Sequence, residues 1–393
     1  MEHPFREALG TIVHDRTRIP MCDRNPKKQA HLNQHPSRMK NRISLLLLGM
    51  VVLSSTAKAQ PPRIVVQGAG APQVFSSINA AIAAAQDNDK VYLSGGTHLS
   101  PVALNIDKPL HFFGAGIGPD STAVTGVTTL STSAGNITLT TTATGSTFTG
   151  IIFSPAANIQ YGTSAADDDP AGLVFERCTF TKPLSVGVSN INPGLPSSTD
   201  FRECIFYSSI SGLAGTIATL DRCVIDHNVG TGASVTGFAN GGLTLRHCVV
   251  LEARIGNSTG FTAENSIFTR TSAPFWQSNG AILTNNLLVS TTLTSNMTAG
   301  SASGNVLGAA ASSIFMDEAD NNFTWDDDLH LQGSSAGVGM ATDGSDVGIY
   351  GSSTPFKPAA VPFNPHFSSV TVAPATNVNS ELPVSITVIA QPN

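Results

Sequence analysis

Between Phe148 and Leu307 the chain repeats one short phrase of apolar and polar positions. "FTGIIF", "FERCTF", "FRECIF", "LDRCVI", "LRHCVV", "AENSIF", "LTNNLL" and "ASGNVL" share a frame: usually Phe or Leu, two polar positions, usually a small residue, then Phe, Ile, Val or Leu two positions later. With the small residue as position zero, the frames fall at Ile151, Cys178, Cys204, Cys223, Cys248, Ser266, Asn286 and Asn305, spaced by 27, 26, 19, 25, 18, 20 and 19 residues. A period near 20 with variable insertions is the mark of a solenoid. An apolar residue, two polar ones and then resumed alternation describe two short strands meeting at a tight bend, with positions −3, 0 and +2 pointing inward. Asn265 and Asn285 at position −1 suit a bend in left-handed backbone geometry. Stacked coils of this kind predict an all-β fold, a right-handed parallel β-helix. About a dozen coils over residues 90–350, at ~4.8 Å each, would make a rod of ~55 Å.

Stacking turns the repeat into columns. The four cysteines should line the interior as small apolar residues, since in-register neighbours hold their Cβ atoms about 4.8 Å apart, beyond the ~3.5–4.5 Å that a bridge prefers. Disulfides are the alternative in an oxidising compartment, whereas a straight column cannot supply a tetrahedral metal shell. At position −2 run Glu176, Arg202, Asp221, Arg246 and Glu264, and at −1 Arg177, Glu203, Arg222 and His247. Signs alternate along both, so neighbouring coils present opposite charges, each exposed pair worth only ~0.2–1 kcal/mol but specifying register. Outward +1 residues Ile205, Val224, Val249, Ile267 and Leu287 form an apolar stripe, which predicts cover by a terminal segment or a protein partner.

The ends of the chain read differently. Residues 74–89 predict a capping helix over the first coil, with Ser76 or Ser77 as N-cap and Ile78, Ile82 and Ala85 facing inward. Residues 356–393 alternate with period two around "NVNS", which predicts a hairpin over the last coil. Ahead of all this, residues 43–53 are an apolar run too short to span a bilayer, flanked by Lys40 and Arg42 and by Ala57-Lys58-Ala59, the pattern of a secretory signal peptide. The expected organisation is a start-site overcall at 1–38, the signal at 39–59, the β-helix at 60–351 and the capping hairpin at 352–393. The product would be exported, with no membrane span.

"VFSSINAAIAAAQDNDKVYLSGGTHLSPVALNIDKPLHFFGAGIG" (74–118) resembles the opening segment of pectin-lyase-like right-handed parallel β-helix proteins, and "DLHLQGSSAGVGMATDGSDVGIYG" (328–351) is similar to the closing coil of secreted bacterial β-helix repeat proteins. The resemblance covers about residues 74–351. In the lyases and glycosidases of that superfamily, ionisable side chains project from one strand of several neighbouring coils. The matching strands here, "LSVGVS", "SISGL", "ASVTGF", "PFWQS" and "TLTSN", hold none, so the resemblance implies the fold and transfers no catalytic residue.

Charge narrows the partners. Residues 60–393 carry 11 Lys and Arg against 23 Asp and Glu, a net charge of −12, with no basic stripe, which disfavours nucleic acid. The leading expectation is a binding or structural protein that engages a polysaccharide or cell-surface glycan, through Phe275, Trp276, Gln277 and Asn279, where an aromatic ring sits beside amides. The other is a polysaccharide lyase or glycoside hydrolase with a non-standard site, for which Asp226, His227, Glu252 and Arg254 are the ionisable candidates. No cofactor is called for, although the runs Asp167-Asp168-Asp169 and Asp326-Asp327-Asp328 offer oxygen ligands to calcium.

Overall fold

The computed structural model describes residues 62–393, apart from 166–167, 189–195, 227–233, 319, 358–365 and 390–393. The expected signal segment and the residues before it lie outside this range. No helix among the described residues is long and apolar enough to cross a membrane.

Each coil contributes one strand to each of three sheets, parallel from coil to coil, and the first sheet also carries Ile64–Gln67 and Gln73–Phe75 as antiparallel strands at its front. The first sheet takes the strands that end on the position −2 residue, the second those that begin at +1, and the third a short strand at the start of the next excursion. The second and third sheets each hold nine strands, so nine full coils stack, from Lys90–Leu93 to Thr294–Ser295, before Ser301–Ser303 adds a last strand to the first sheet. The fold is therefore the expected right-handed parallel β-helix, the hand favoured for parallel crossovers. Its rod is shorter than the dozen coils anticipated, on the order of 40 Å at ~4.8 Å per coil.

Inside the coils, like stacks on like. Phe112, Phe148, Phe175 and Phe201 form one ladder with ring centroids 5.0, 4.7 and 5.3 Å apart. Phe153, Phe180 and Phe206 form a second at 5.3 and 4.9 Å, and the two ladders meet edge to face. Cys178, Cys204, Cys223 and Cys248 are free and fully buried, as their column requires. Each thiol donates to the carbonyl of the −3 residue one coil earlier, Phe148, Phe175, Phe201 and Leu220, at 3.3–3.5 Å. Where cysteine gives way to Asn286 and Asn305, their amides do the same for Ala263 and Leu283, both at 2.8 Å.

The bend at position −1 is left-handed in every coil that carries the frame from 177 on: Arg177, Glu203, Arg222, His247, Asn265 and Asn285 have φ between 50° and 54°. The −2 column pairs in register, Glu176 with Arg202, Arg202 with Asp221, Asp221 with Arg246 and Arg246 with Glu264. The −1 column is not the solvated ladder anticipated. Arg177 is fully buried and Glu203 is 4 % exposed, joined at 2.9 Å.

Cover comes from residues 310–357, which follow the last bridge of the solenoid, Val306 to Leu287, and run back as a strap along the outside of the second sheet. The resemblance of 328–351 to a closing coil is corrected here: this stretch adds no coil. Ile314, Phe315, Phe323, Leu329, Val347, Ile349 and Phe356 from the strap form a second core with Ile205, Val224, Val249, Ile267 and Leu287, each 0 % exposed. The apolar stripe is thus filled by the chain itself and offers no surface to a protein partner. Polar contacts fasten the strap to the −1 column: the Lys357 N–H donates to Glu203 (3.1 Å), Arg222 to Thr354 Oγ1, Asn265 exchanges two hydrogen bonds with Thr342 (2.9 and 3.0 Å), and Asn285 donates to the Met340 carbonyl (2.8 Å). Gly348, at φ 86°, lies so close that a Cβ there would come within 2.6 Å of Ile267.

At the front, the helix is shorter than its pattern, Ile78–Ala84, capped by Ser77 and burying Ile78, Ala81 and Ile82. Lys108 closes its C-terminus by donating to the carbonyls of Ile82, Ala83 and Ala85 at 2.9, 3.1 and 2.9 Å. The C-terminal hairpin forms from His366–Val372 and Val384–Ile389, with the apolar side chains of its strands from Val370 onward 43–55 % exposed and Val378 of its turn fully so.

Candidate functional site

The third sheet is built of short strands with one side chain in and one out. Inward go Ile159, Leu184, Ile210, Val235, Ile255 and Phe275; outward, in continuous register, stand Asn105, Thr138, Gln160, Ser185, Ser211, Thr236, Gly256, Trp276 and Ser295. Not one of the nine is ionisable. The row is partly tied together, Ser211 donating to Ser185 at 3.2 Å and Asn136 to Gln160 at 2.5 Å.

Parity sorts the aromatic candidates. Phe275 is fully buried, its ring 4.7 Å from Phe268 and 5.6 Å from Phe261, so it is a core residue and supplies no binding surface. Trp276 is partly exposed, paired in register with Gly256 on one side and Ser295 on the other. Gly256 puts no side chain beside the indole and is itself buried. The Arg254 guanidinium lies over the indole, 5.6 Å from the ring centroid, and so takes up one face of it as a cation–π contact. Gln277 takes the left-handed corner at φ 47° and is exposed, while Ser278 turns inward and donates to the Trp276 carbonyl at 2.8 Å. Asn279 is exposed, and its side-chain oxygen accepts the Thr298 N–H at 2.8 Å.

Two of the acid-base candidates, Asp226 and Glu252, lie on adjacent coils and both meet the strap. Asp226 accepts the Phe323 N–H at 3.0 Å, which holds the strap, and burial pushes its carboxyl above the ordinary range, with Asp320 and Asp327 adding to the shift. Glu252 sits at a left-handed corner and receives the Asn321 amide at 3.4 Å, also from the strap. Arg254, two residues on, lies on the third-sheet side against Trp276. His227 lies outside the described residues. The aspartate runs serve their own loops: Asp168 accepts from the Thr163 N–H and hydroxyl, both at 2.7 Å, Asp169 from Val188, Asp327 from Thr324 (2.6 Å) and Asp328 from His330 (2.6 Å). Asp326 is exposed and Asp167 lies outside the described residues. Among the described residues no three His, Cys, Asp or Glu converge on a metal-sized site.

Set beside known proteins, the chain matches no family model and no curated sequence.

Proposed function

We propose that this is an exported β-helix protein of binding type that takes a neutral or weakly charged glycan along the outer face of its third sheet, with Trp276 as the stacking ring. The observation that carries the reading is the nine-residue outer row without a single ionisable group, interrupted by one partly exposed indole beside a glycine. A sugar ring presents apolar C–H faces that stack on an aromatic surface and hydroxyls that need neutral donors and acceptors. Gln277 and Ser295 stand next to the indole in sequence and in register, and Thr236 lies one coil beyond Gly256; these residues supply them. The surplus of acidic residues disfavours polyanionic chains, and the resemblance of residues 74–118 to pectin-lyase-like proteins, whose enzymes act on polysaccharides, supports the reading.

Trp276→Ala should weaken binding of a neutral polysaccharide at least about tenfold while leaving the melting temperature nearly unchanged, because the side chain packs on the outside of the coil. Affinity electrophoresis of residues 60–393 on a panel of neutral and acidic polysaccharides measures it. Reducing-end and unsaturated-sugar assays on the same samples test the lyase or hydrolase alternative. Turnover that disappears in His227→Ala or Glu252→Ala while Trp276→Ala retains it would replace the binding reading with the enzymatic one.

A further inference from the structure

Where the strap meets the loop after His111–Phe113, a cavity of about 80 Å³ opens between Phe323, Trp325, Tyr350 and Phe356, with Asp120 and Asp327 also on its wall. Four aromatic rings line this one cavity, in a chain whose aromatic content is only 6 %. Phe323 and Trp325 stand edge to face at 5.5 Å and 70°, and Tyr350 and Phe356 at 6.0 Å and 85°, so the walls are near-perpendicular pairs and not one flat stack. His330, which does not line the cavity, stacks on Tyr350 at 3.6 Å. No Lys, Arg or His is on the wall. The local field is negative: Tyr207, beside Phe323, is pushed up to about 12 by burial and then by Asp226 and Asp327, and Tyr350 to about 12 by burial and then by Asp328.

We infer that this cavity binds a methylated ammonium group, the trimethylammonium head of a choline-like cation. Aromatic faces attract a cation through the ring quadrupole and accept N-methyl groups without needing hydrogen bonds. The two carboxylates supply the opposite charge. The volume, room for roughly three waters at about 30 Å³ each, is too small for a sugar ring and restricts the occupant to a compact head group. An unmethylated ammonium is a poorer fit, because it needs several acceptors and one oxygen of Asp327 is already taken by the Thr324 N–H. Anions are disfavoured by Asp120 and Asp327.

The chain has two tryptophans, so Trp276→Phe leaves Trp325, on the wall of this cavity, as the only indole reporter. Titrating that full-length variant with choline chloride, against sodium chloride at matched ionic strength, should give a saturable change in Trp325 emission. The neutral carbon isostere 3,3-dimethylbutan-1-ol should give at most a tenth of that affinity, and Asp120→Asn, on an exposed loop, should weaken choline about threefold or more without lowering the melting temperature. No saturable response to choline, an equal response to the neutral isostere, or an Asp120→Asn protein that binds choline unchanged would each overturn the assignment. Trp276 is not part of this cavity, so the outcome is independent of glycan binding.

Discussion

At the scale of single residues, the position −1 column shows how a repeat can hold side chains where neither their charge nor their backbone preference would put them. Arginine, glutamate and histidine are uncommon at positive φ, and holding them there costs of order 1–3 kcal/mol each. Arg177, Glu203, Arg222 and His247 stay there because the next coil and the strap fix both sides of the bend. Arg177 and Glu203 make the case most sharply, since a buried ion pair is worth little as a pair but leaves a stranded charge when one partner is removed. Glu203→Gln should therefore destabilise by about 3–5 kcal/mol, and adding Arg177→Met should recover much of it. Urea melts of the single and double variants measure this. A Glu203→Gln protein within about 0.5 kcal/mol of the parent would show that Arg177 does not depend on this partner.

At the scale of elements, the second sheet is the one whose two faces are both covered, and the strap is what covers the outer one. Its strands run as consecutive apolar residues, "VV", "IF" and "LL", as sheets buried on both sides do, while the first sheet alternates. That much was legible in the frame, as were the register, the thiol column and the charge order at −2. The strap itself was not, because residues 310–357 bury Ile314, Phe315, Phe323, Leu329, Val347, Ile349 and Phe356 at irregular intervals, with no period to follow, and counting them as coils lengthens the rod. "PFWQS" was ambiguous for a related reason: both of its parities carry an aromatic, and only the pairing of Phe275 with Ile255 and Trp276 with Gly256 settles which ring faces out. The strap also carries a pH dependence. The Thr342 N–H fixes the Asn265 amide by donating to its oxygen, so the amide nitrogen donates to His247 Nε2 at 3.2 Å, which must be unprotonated. Burial pulls the imidazole below its ordinary value, against Asp343 and Asp221, with Arg222 pulling the same way as burial. A folded pKa below the unfolded one means His247 contributes stability above the unfolded value near 6.5 and loses it as pH falls through the folded value. Hydrogen-exchange protection across residues 338–352, corrected for the intrinsic pH dependence of exchange, should fall between pH 7 and pH 5, and His247→Asn should flatten that profile; an identical profile in the variant would assign the effect elsewhere.

At the scale of the whole molecule, the question is how a solenoid closes its open end without the hairpin. The last strand of the first sheet, Ser301–Ser303, is short, small and fully exposed, which blunts an edge that would otherwise pair with another chain. Asn305 occupies the position-zero slot beyond it, donating to the Leu283 carbonyl and accepting from the Asn286 N–H at 3.0 Å, so backbone groups at that end are satisfied by side-chain amides. The hairpin adds nothing comparable: residues directly opposite one another share a face, so Val370 with Ile386 and Val372 with Val384 form one apolar side, and it stands in solvent. Stability should therefore reside in the strap and not in the tail. A chain of residues 60–357 should melt within about 2 °C of residues 60–393, since a loss of 1 kcal/mol shifts a domain of this size by no more than ~2–4 °C and the hairpin buries little. A chain ending at 303 would instead expose Ile205, Val224, Val249, Ile267 and Leu287, each worth about 1.5–3 kcal/mol when buried, and should bind an apolar dye or aggregate. Differential scanning calorimetry with dye binding on the three proteins separates the cases. If removing 358–393 costs as much as removing the strap, the hairpin is the cap after all, and the polar edge at Ser301–Ser303 is not sufficient to end the solenoid.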